Sequence, residues 1–144
     1  MLLPVQKLRP EARLPTQGSA RAAGCDLYAC LDAPVTVAPG ETALIGTGLA
    51  IAVPEGCFAA IFARSGLATK RGLRPANCVG VIDSDYRGEY RVPLHNDSAA
   101  PQTVAPGDRI AQLIVLPCFS LEFELREALD ETERGAGGFG STGA

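Results

Sequence analysis

The sequence is poor in the residues on which many metal and nucleic-acid sites depend. Its 144 residues include no tryptophan and a single histidine, and its five cysteines form no Cys-x-x-Cys pair. We therefore expect no zinc site, because such sites draw on closely spaced Cys and His ligands. The net charge is −3 and no block of Lys and Arg occurs, so we expect no binding of the DNA or RNA backbone.

Long apolar runs are also missing. No stretch approaches the length of a membrane-spanning helix, and no apolar leader segment follows Met1. With an odd number of cysteines and no leader, we expect a cytoplasmic protein with reduced thiols and no membrane contact. The length suits one domain, and with only 6% aromatic residues its core must be aliphatic.

Short apolar segments separated by Gly and Pro indicate an all-β protein. Strands are predicted near residues 35–37, 42–45, 49–53 and 57–62, a spacing that favours a β-sandwich or jelly roll. The peptide Thr-Val-Ala-Pro-Gly occurs at residues 36–40 and again at 103–107, and each copy predicts a type II turn that leads into a strand. Leu121, Phe123 and Leu125 alternate with charged residues, which favours one more strand.

Helix is predicted only over residues 65–71, with Ser65 as the N-cap and Gly72 as the end. After Glu133 the chain becomes glycine-rich and holds too little apolar surface to order itself. We therefore predict a β domain over residues 1–133 and a flexible C-terminal arm over residues 134–144.

Residues 80–89, Gly-Val-Ile-Asp-Ser-Asp-Tyr-Arg-Gly-Glu, are the most informative stretch of the sequence. An apolar strand ends at Asp83 and Asp85, an aromatic residue follows, and Gly88 permits a turn into a second apolar segment that starts at Tyr90. This pattern predicts a β-hairpin with acidic groups at its mouth. A carboxylate beside apolar surface suits a general base. A structural role in the turn is an equally good interpretation, because Asp favours turns.

Three further segments carry polar groups suited to phosphate chemistry. Arg64, Ser65 and Gly66 start the predicted helix, where N–H groups and an arginine form an anion site or, alternatively, a helix cap with a surface arginine. Gln112 lies within an apolar strand, so its amide needs a partner. Asp26 starts another strand and by itself indicates little.

The tail is the last candidate segment. It combines Arg134, Phe139, Ser141 and Thr142 with five glycines. Gly-rich backbone, hydroxyls and an arginine can bind phosphate oxygens, and an aromatic ring can stack on a base. Without further context, a glycine-rich linker is the simpler interpretation.

Together these five segments resemble the five ordered motifs of the homotrimeric dUTPase family. They follow the family's order from residue 23 to residue 143, and the motif around residues 80–89 and the tail are the most specific of them. Ala63 departs from the pattern, because the family usually has Pro there.

The resemblance implies a distorted jelly-roll subunit and a homotrimer whose active sites are shared between subunits. The implied reaction is hydrolysis of dUTP to dUMP and pyrophosphate, with Mg²⁺ on the triphosphate. This reaction keeps uracil out of DNA and supplies dUMP for thymidylate synthesis.

The resemblance also implies roles for individual residues. Asp83 is the general base for the attacking water, and Asp26 holds a metal-bound water rather than the metal itself. Tyr86 packs on the deoxyribose and excludes a 2′-hydroxyl. The other implied substrate-binding residues are Arg64, Ser65, Gly66 and Gln112 at the phosphates, Asn77, Gly80, Val81, Ile82 and Arg91 at the uracil, and Arg134, Phe139, Gly140, Ser141 and Thr142 in the arm.

Two other functions fit parts of the sequence. A dCTP deaminase would share the implied fold, but its catalytic glutamate is missing here, where Val92-Pro93-Leu94 stands after the turn. A nucleotide-sensing protein without catalysis is disfavoured because Asp83 and the complete tail are both present. A regulatory second role stays open.

Overall fold

The computed structural model describes residues 1–138, and β-strands dominate them. The prediction of an all-β fold with one short helix is confirmed for this part of the chain. In chain order the elements are β1 Val5–Lys7, β2 Thr16–Gln17, β3 Cys25–Tyr28, β4 Val35–Val37, β5 Thr42–Gly46, β6 Leu49–Ile51, β7 Cys57–Phe62, α1 Ser65–Arg71, β8 Leu73–Pro75, β9 Val79–Ile82, β10 Arg91–Asn96, β11 Gln102–Val104 and β12 Arg109–Pro117.

A five-stranded antiparallel sheet carries five of the predicted site residues, namely Asp26, Gly80, Val81, Ile82 and Gln112. Its strand order is β2-β3-β12-β7-β9, and the described fold also has a three-stranded sheet, β5-β10-β8, and the pairs β1-β6 and β11-β4. Asp26 in β3 stands opposite Gln112 in β12, Gln112 stands opposite Phe62 in β7, and Phe62 stands opposite Val79 in β9. These four residues form one row across the sheet. The segments that contain Asp26, Gln112 and Val79 therefore lie at one level of the same sheet.

The core is mainly aliphatic, as the scarcity of aromatic residues predicted. Leu27, Ile45, Leu73 and Leu94 are completely buried. Tyr90 is the largest fully buried side chain, and its hydroxyl donates to Ile51 O at 3.0 Å, which satisfies its polar atom. Burial raises the pKa of Tyr90 to about 12.

Both copies of the repeated peptide form the predicted turns. Gly40 and Gly107 lie in the left-handed region, with φ of +75° and +82°. A backbone hydrogen bond across the Pro-Gly pair closes each turn, at 3.0 Å in the first copy and 3.1 Å in the second. The preceding strands β4 and β11 pair with each other, with Thr36 opposite Thr103. The two copies therefore build one small sheet.

The prediction of a hairpin at residues 79–94 is wrong. β9 pairs with β7, whereas β10 pairs with β5 and β8, so the two strands belong to different sheets. The loop over residues 83–90 crosses between these sheets. An apolar pattern identifies a strand and its buried face, but the partner of the strand depends on residues far away in sequence.

Helix α1 covers the predicted residues but is capped differently. Ser65 is the first helical residue, and Arg64 is the N-cap, with an extended backbone and no side-chain cap. The prediction that Ser65 is the N-cap is therefore wrong by one residue. Gly72 ends the helix as predicted, with φ of +66° and its N–H on Ala68 O at 3.0 Å. The described residues contain no helix with the length and hydropathy needed to cross a bilayer.

The strand predicted from Leu121, Phe123 and Leu125 is wrong for the described chain. No strand occurs between residues 118 and 138, and the three side chains are 72%, 92% and 99% exposed. A strand needs partners for its N–H and C=O groups, and no strand of residues 1–138 pairs with this segment.

Candidate active site

Asp26, Arg64 and Arg109 form a charged cluster at one end of the row. Arg64 Nε donates to Asp26 Oδ1 at 2.7 Å, and its Nη2 donates to Oδ2 at 3.4 Å. Arg109 Nη1 donates to Asp26 Oδ2 at 3.2 Å. One carboxylate faces two guanidinium groups, so the cluster keeps net positive charge and suits an anion. Sequence reasoning gave Arg109 no role, although it stands in the same segment as Gln112.

The Gln112 side chain lies beside this cluster because glycine occupies position 24. Gln112 Nε2 donates to Ala63 O at 2.8 Å, which is the partner that an in-strand amide needs. An added Cβ at Gly24 would stand 2.7 Å from Gln112 Oε1 and 3.3 Å from Gln112 Cβ. The absence of a side chain at Gly24 therefore determines where the Gln112 amide can lie.

The start of helix α1 offers open backbone next to Arg64. Ser65 and Gly66 are both exposed, and an added Cβ at Gly66 would meet nothing within 4 Å. Arg64, Arg71 and Arg109 line an adjoining hollow of about 270 Å³. Helix-start N–H groups together with guanidinium groups are suited to phosphate oxygens.

Asp83 stands at the end of β9, where its side chain is exposed. It lines an open hollow of about 580 Å³ together with Asp85 and Glu55. The backbone of its loop is tied internally, because Arg87 Nη1 donates to Ser84 O at 2.7 Å and the N–H of Tyr86 donates to Asp83 O at 3.2 Å. The Asp83 carboxylate thus stands at an accessible place on a constrained backbone.

Ile82, Tyr86 and Arg91 line a second hollow, of about 220 Å³, beside the same loop. Tyr86 is 42% exposed, and its hydroxyl donates to Glu89 O at 3.1 Å. Its ring lies against Gly88, where an added Cβ would overlap the phenol. The structure thus brings three predicted nucleoside contacts together. The hollow is completed by Leu44, Glu89 and Tyr90, to which the sequence analysis assigned no role.

Asn77 and Gly80 lie close together where β9 begins. A Cβ at Gly80 would stand 3.5 Å from Asn77 Nδ2 and 3.2 Å from Ile61 Cβ, so glycine allows β9 to approach β7 closely. Between them, Cys78 has φ of +61°, and the N–H of Val79 donates to Asn77 O at 2.6 Å, as in a γ-turn. The predicted residue Val81 follows in β9 and is 64% exposed.

Arg134 is exposed and donates through Nε to Gly137 O at 2.9 Å. The other predicted arm residues, Phe139, Gly140, Ser141 and Thr142, lie outside the described residues.

One chain gathers the predicted residues into two groups, not one. Asp26, Arg64 and Gln112 form the first, and the loop that carries Asp83 and Tyr86 forms the second. Asp26 is three strand spacings from Val79, and Asp83 follows Val79 by four residues, one residue past the end of β9. At about 4.8 Å per strand and about 3.3 Å per residue, Asp83 lies on the order of 20 Å from Asp26.

The donor set near Asp26 does not fit a metal held by protein ligands alone. No three Asp, Glu, His or Cys side chains of residues 1–138 are arranged to hold a metal ion, and both oxygens of Asp26 accept hydrogen bonds from arginine. A single carboxylate does fit Mg²⁺ that is bound by phosphate oxygens and water, because this ion usually keeps several waters.

Comparison with known proteins identifies the family of the chain. The sequence model of the dUTPase family matches residues 10–143. The deoxyuridine 5'-triphosphate nucleotidohydrolase of Desulfitobacterium hafniense is 56% identical over 132 residues, which cover 91% of this chain and 87% of that protein.

Solved dUTPase structures have the same fold. A mutant dUTPase of Staphylococcus bacteriophage 80alpha with dUpNHpp is 27% identical, with a TM-score of 0.86 and 99% of each chain covered. A mutant dUTPase of phage phi11 of S. aureus, described with a structural Mg(II) ion, is 25% identical, with a TM-score of 0.82 and 91% and 100% of the two chains covered. The predicted jelly-roll β fold, family and enzyme class are thereby confirmed, and the chain belongs to the dUTPase family.

Proposed function

We propose that the chain hydrolyses dUTP to dUMP and pyrophosphate as a homotrimer, with Mg²⁺ on the triphosphate and active sites shared between subunits. The reaction keeps uracil out of DNA and supplies dUMP for thymidylate synthesis. One observation carries the proposal: a chain of the dUTPase family presents a cationic cluster at Arg64 and a separate hollow beside Tyr86. The first suits a triphosphate and the second a nucleoside.

Arg64, Ser65, Gly66 and Gln112 bind the phosphate chain. The Arg64 guanidinium is oriented by its two hydrogen bonds to Asp26, which reduces the ordering that substrate binding must supply. The positive charges of Arg64 and Arg109 neutralise part of the negative charge of the phosphates. Phosphoryl transfer depends mainly on such positioning and charge stabilisation.

Asp83 accepts a proton from the water that attacks the α-phosphorus in line, and pyrophosphate leaves. Its carboxylate is exposed, and the hydrogen bonds of Arg87 and Tyr86 hold the backbone that presents it. A general base must reach the proton directly or through one water. The constrained loop backbone supports this role, because positioning is a large part of catalysis in such a reaction.

Mg²⁺ would be held by phosphate oxygens and by a water that donates to Asp26. When bound, the ion neutralises phosphate charge and polarises the phosphoryl group. The structural Mg(II) ion of the phage phi11 dUTPase supports a divalent ion in this family.

Uracil is selected by backbone groups of residues 80–83, by the backbone of Arg91 and by the Asn77 amide. A site that hydrogen-bonds the polar edge of uracil rejects cytosine, because its buried groups would go unpaired. The loop backbone leaves no room for the 5-methyl group of thymine, and Tyr86 leaves none for a 2′-hydroxyl. The dUpNHpp bound by the phage 80alpha dUTPase supports a nucleotide site on this fold.

The arm over residues 134–144 closes on the nucleotide. Arg134 is exposed near its start and, with Ser141 and Thr142, binds the terminal phosphate. Phe139 lies over the uracil, and Gly140 binds the nucleotide beside it.

Assembly of three chains is supported by the distances within one chain. A gap on the order of 20 Å between Asp83 and Asp26 is too long for a base that acts through one water. In a closed three-fold assembly, Asp83 of one subunit meets the Asp26 cluster of a neighbour. The segment over residues 118–129 also exposes several large apolar side chains, and clustered apolar surface favours a contact with another chain. These side chains are Phe119, Leu121, Phe123, Leu125 and Leu129.

The five cysteines are free thiols, and this supports our placement of the enzyme in the cytoplasm, where thiols stay reduced.

Product analysis tests the proposed reaction. The protein is incubated with dUTP, dCTP or UTP in the presence of Mg²⁺, with a chelator in a parallel set. We expect dUMP and pyrophosphate from dUTP, loss of turnover with the chelator, and little reaction of the other two nucleotides. Release of ammonia from dCTP, or binding of dUTP without turnover, would contradict the proposal.

A further inference from the structure

Glu89 ties the loop over residues 83–90 to a turn far away in sequence. Its Oε1 accepts the N–H of Gly48 at 2.8 Å, across 41 residues. The carboxylate occupies the space beside Gly46, where an added Cβ would stand 2.5 Å from Oε1 and 3.3 Å from Cδ. Gly48 has φ of +67°, a conformation that glycine adopts readily. Two glycines thus form a cradle for one carboxylate.

The residue after Glu89 fastens the same end of the loop. The N–H of Tyr90 donates to Leu49 O at 2.8 Å, and Thr47 Oγ1 donates to Tyr90 O at 2.7 Å. The Tyr90 side chain is buried in the core. These hydrogen bonds anchor the end of the loop at Tyr90. Glu89, the residue before it, adds a side-chain hydrogen bond to the same anchor.

Glu89 also holds Tyr86, through its backbone. The Tyr86 hydroxyl donates to the Glu89 carbonyl at 3.1 Å, while the Tyr86 ring covers Gly88. Tyr86 and Glu89 line the same hollow of about 220 Å³ as Ile82 and Arg91. A shift of Glu89 would therefore move the aromatic wall of that hollow.

We propose that Glu89 is a positioning residue for sugar selection. Its carboxylate, docked on the Gly48 N–H, holds Tyr86 where the ring excludes a 2′-hydroxyl. This inference rests on the proposed function. The Gly48 N–H needs an acceptor and not a charge, so the amide oxygen of glutamine serves as well. A role in proton transfer would require the carboxylate itself.

The test compares kcat and KM for dUTP and UTP in the intact enzyme and its variants. The variants are Glu89→Gln, Glu89→Ala, Tyr86→Phe and the double variant Glu89→Ala/Tyr86→Phe. We expect the ratio of kcat/KM for dUTP to that for UTP to stay within about twofold of wild type in Glu89→Gln. It should fall about five- to tenfold in Glu89→Ala and in Tyr86→Phe, which is the effect of one lost hydrogen bond. The double variant should fall no further than either single one, because both act on the same tie.

Several outcomes would overturn the inference. A Glu89→Gln variant as impaired as Glu89→Ala would assign the effect to charge, and a wild-type ratio in Glu89→Ala would show that sugar selection does not depend on this residue. If Glu89→Ala does not fold, a wild-type ratio of kcat/KM for dUTP to that for UTP in Tyr86→Phe refutes a role for the hydrogen bond between Tyr86 and Glu89. Absence of dUTP hydrolysis by the wild-type protein would overturn the proposed function as well, whereas an unchanged ratio in active Glu89→Ala and Tyr86→Phe variants overturns this inference alone.

Discussion

Replacing Gly24 with Ala should impair phosphate binding without unfolding the chain. The new methyl group would stand 2.7 Å from Gln112 Oε1, whereas an unstrained contact needs about 3.5 Å. The Gln112 amide must therefore move by roughly 1 Å and lose its bond to Ala63 O at 2.8 Å. One such bond contributes about 1 kcal/mol to stability, but a displacement of about 1 Å in a substrate-binding group can cost about 100-fold in rate.

The assay measures kcat and KM for dUTP together with thermal unfolding. Gly18→Ala is the matched control, because a Cβ there would meet nothing within 4 Å, and we expect wild-type behaviour from it. For Gly24→Ala we expect kcat/KM to fall by about 10- to 100-fold, with a small change in Tm. Wild-type kcat/KM in this variant would refute the placement of Gln112 at the phosphates, and loss of the folded state would refute a local effect.

Three further predictions follow from the same structure. Asp83→Asn should lower kcat by about 10²–10⁴-fold while dUTP still binds, and turnover within tenfold of wild type at saturating dUTP would remove Asp83 from the role. Deletion of residues 134–144 should leave Tm almost unchanged and abolish most activity; full kcat, or unfolding, would contradict the proposed arm. The third concerns pH. Because Tyr90 has a pKa of about 12 in the folded chain and about 10 when unfolded, the unfolded state loses this proton first. The free energy of unfolding should fall by about 2–3 kcal/mol between pH 10 and 12, as measured by chemical denaturation. Tyr90→Phe should lack this pH-dependent loss of stability. Equal slopes of unfolding free energy against pH for the two proteins would refute the prediction.

Local chemistry could be predicted from the sequence, whereas contacts between distant segments could not. The turns at Gly40 and Gly107 and the helix end at Gly72 were predictable because glycine supplies the left-handed backbone that each requires. The pairing of β9 with β7 was not, because an apolar pattern does not specify a partner. The bond between Glu89 and Gly48 spans 41 residues and leaves no sequence pattern.

The candidate site likewise combines features that the sequence shows with contacts that it does not show. The sequence names the residues of each motif as site candidates, and the structure adds contacts that the sequence does not show: Asp26 orients Arg64, and Gly24 makes room for Gln112. The exposed alternation at Leu121, Phe123 and Leu125 predicted a strand that the described chain does not form. A strand that pairs only with another subunit would explain the difference, because a single chain then offers no partners for its backbone N–H and C=O groups.

Mixing two inactive variants tests the shared site most directly. Asp83→Asn and Arg64→Ala are unfolded and refolded together in equal amounts, with mixed trimers confirmed by mass. If each site takes Asp83 from one subunit and Arg64 from a neighbour, every mixed trimer has one intact site. Random mixing into closed three-fold assemblies makes about three-quarters of the trimers mixed, so about a quarter of wild-type activity should return. Activity no higher than that of the separately refolded variants would place both residues in one subunit's site and contradict the shared site.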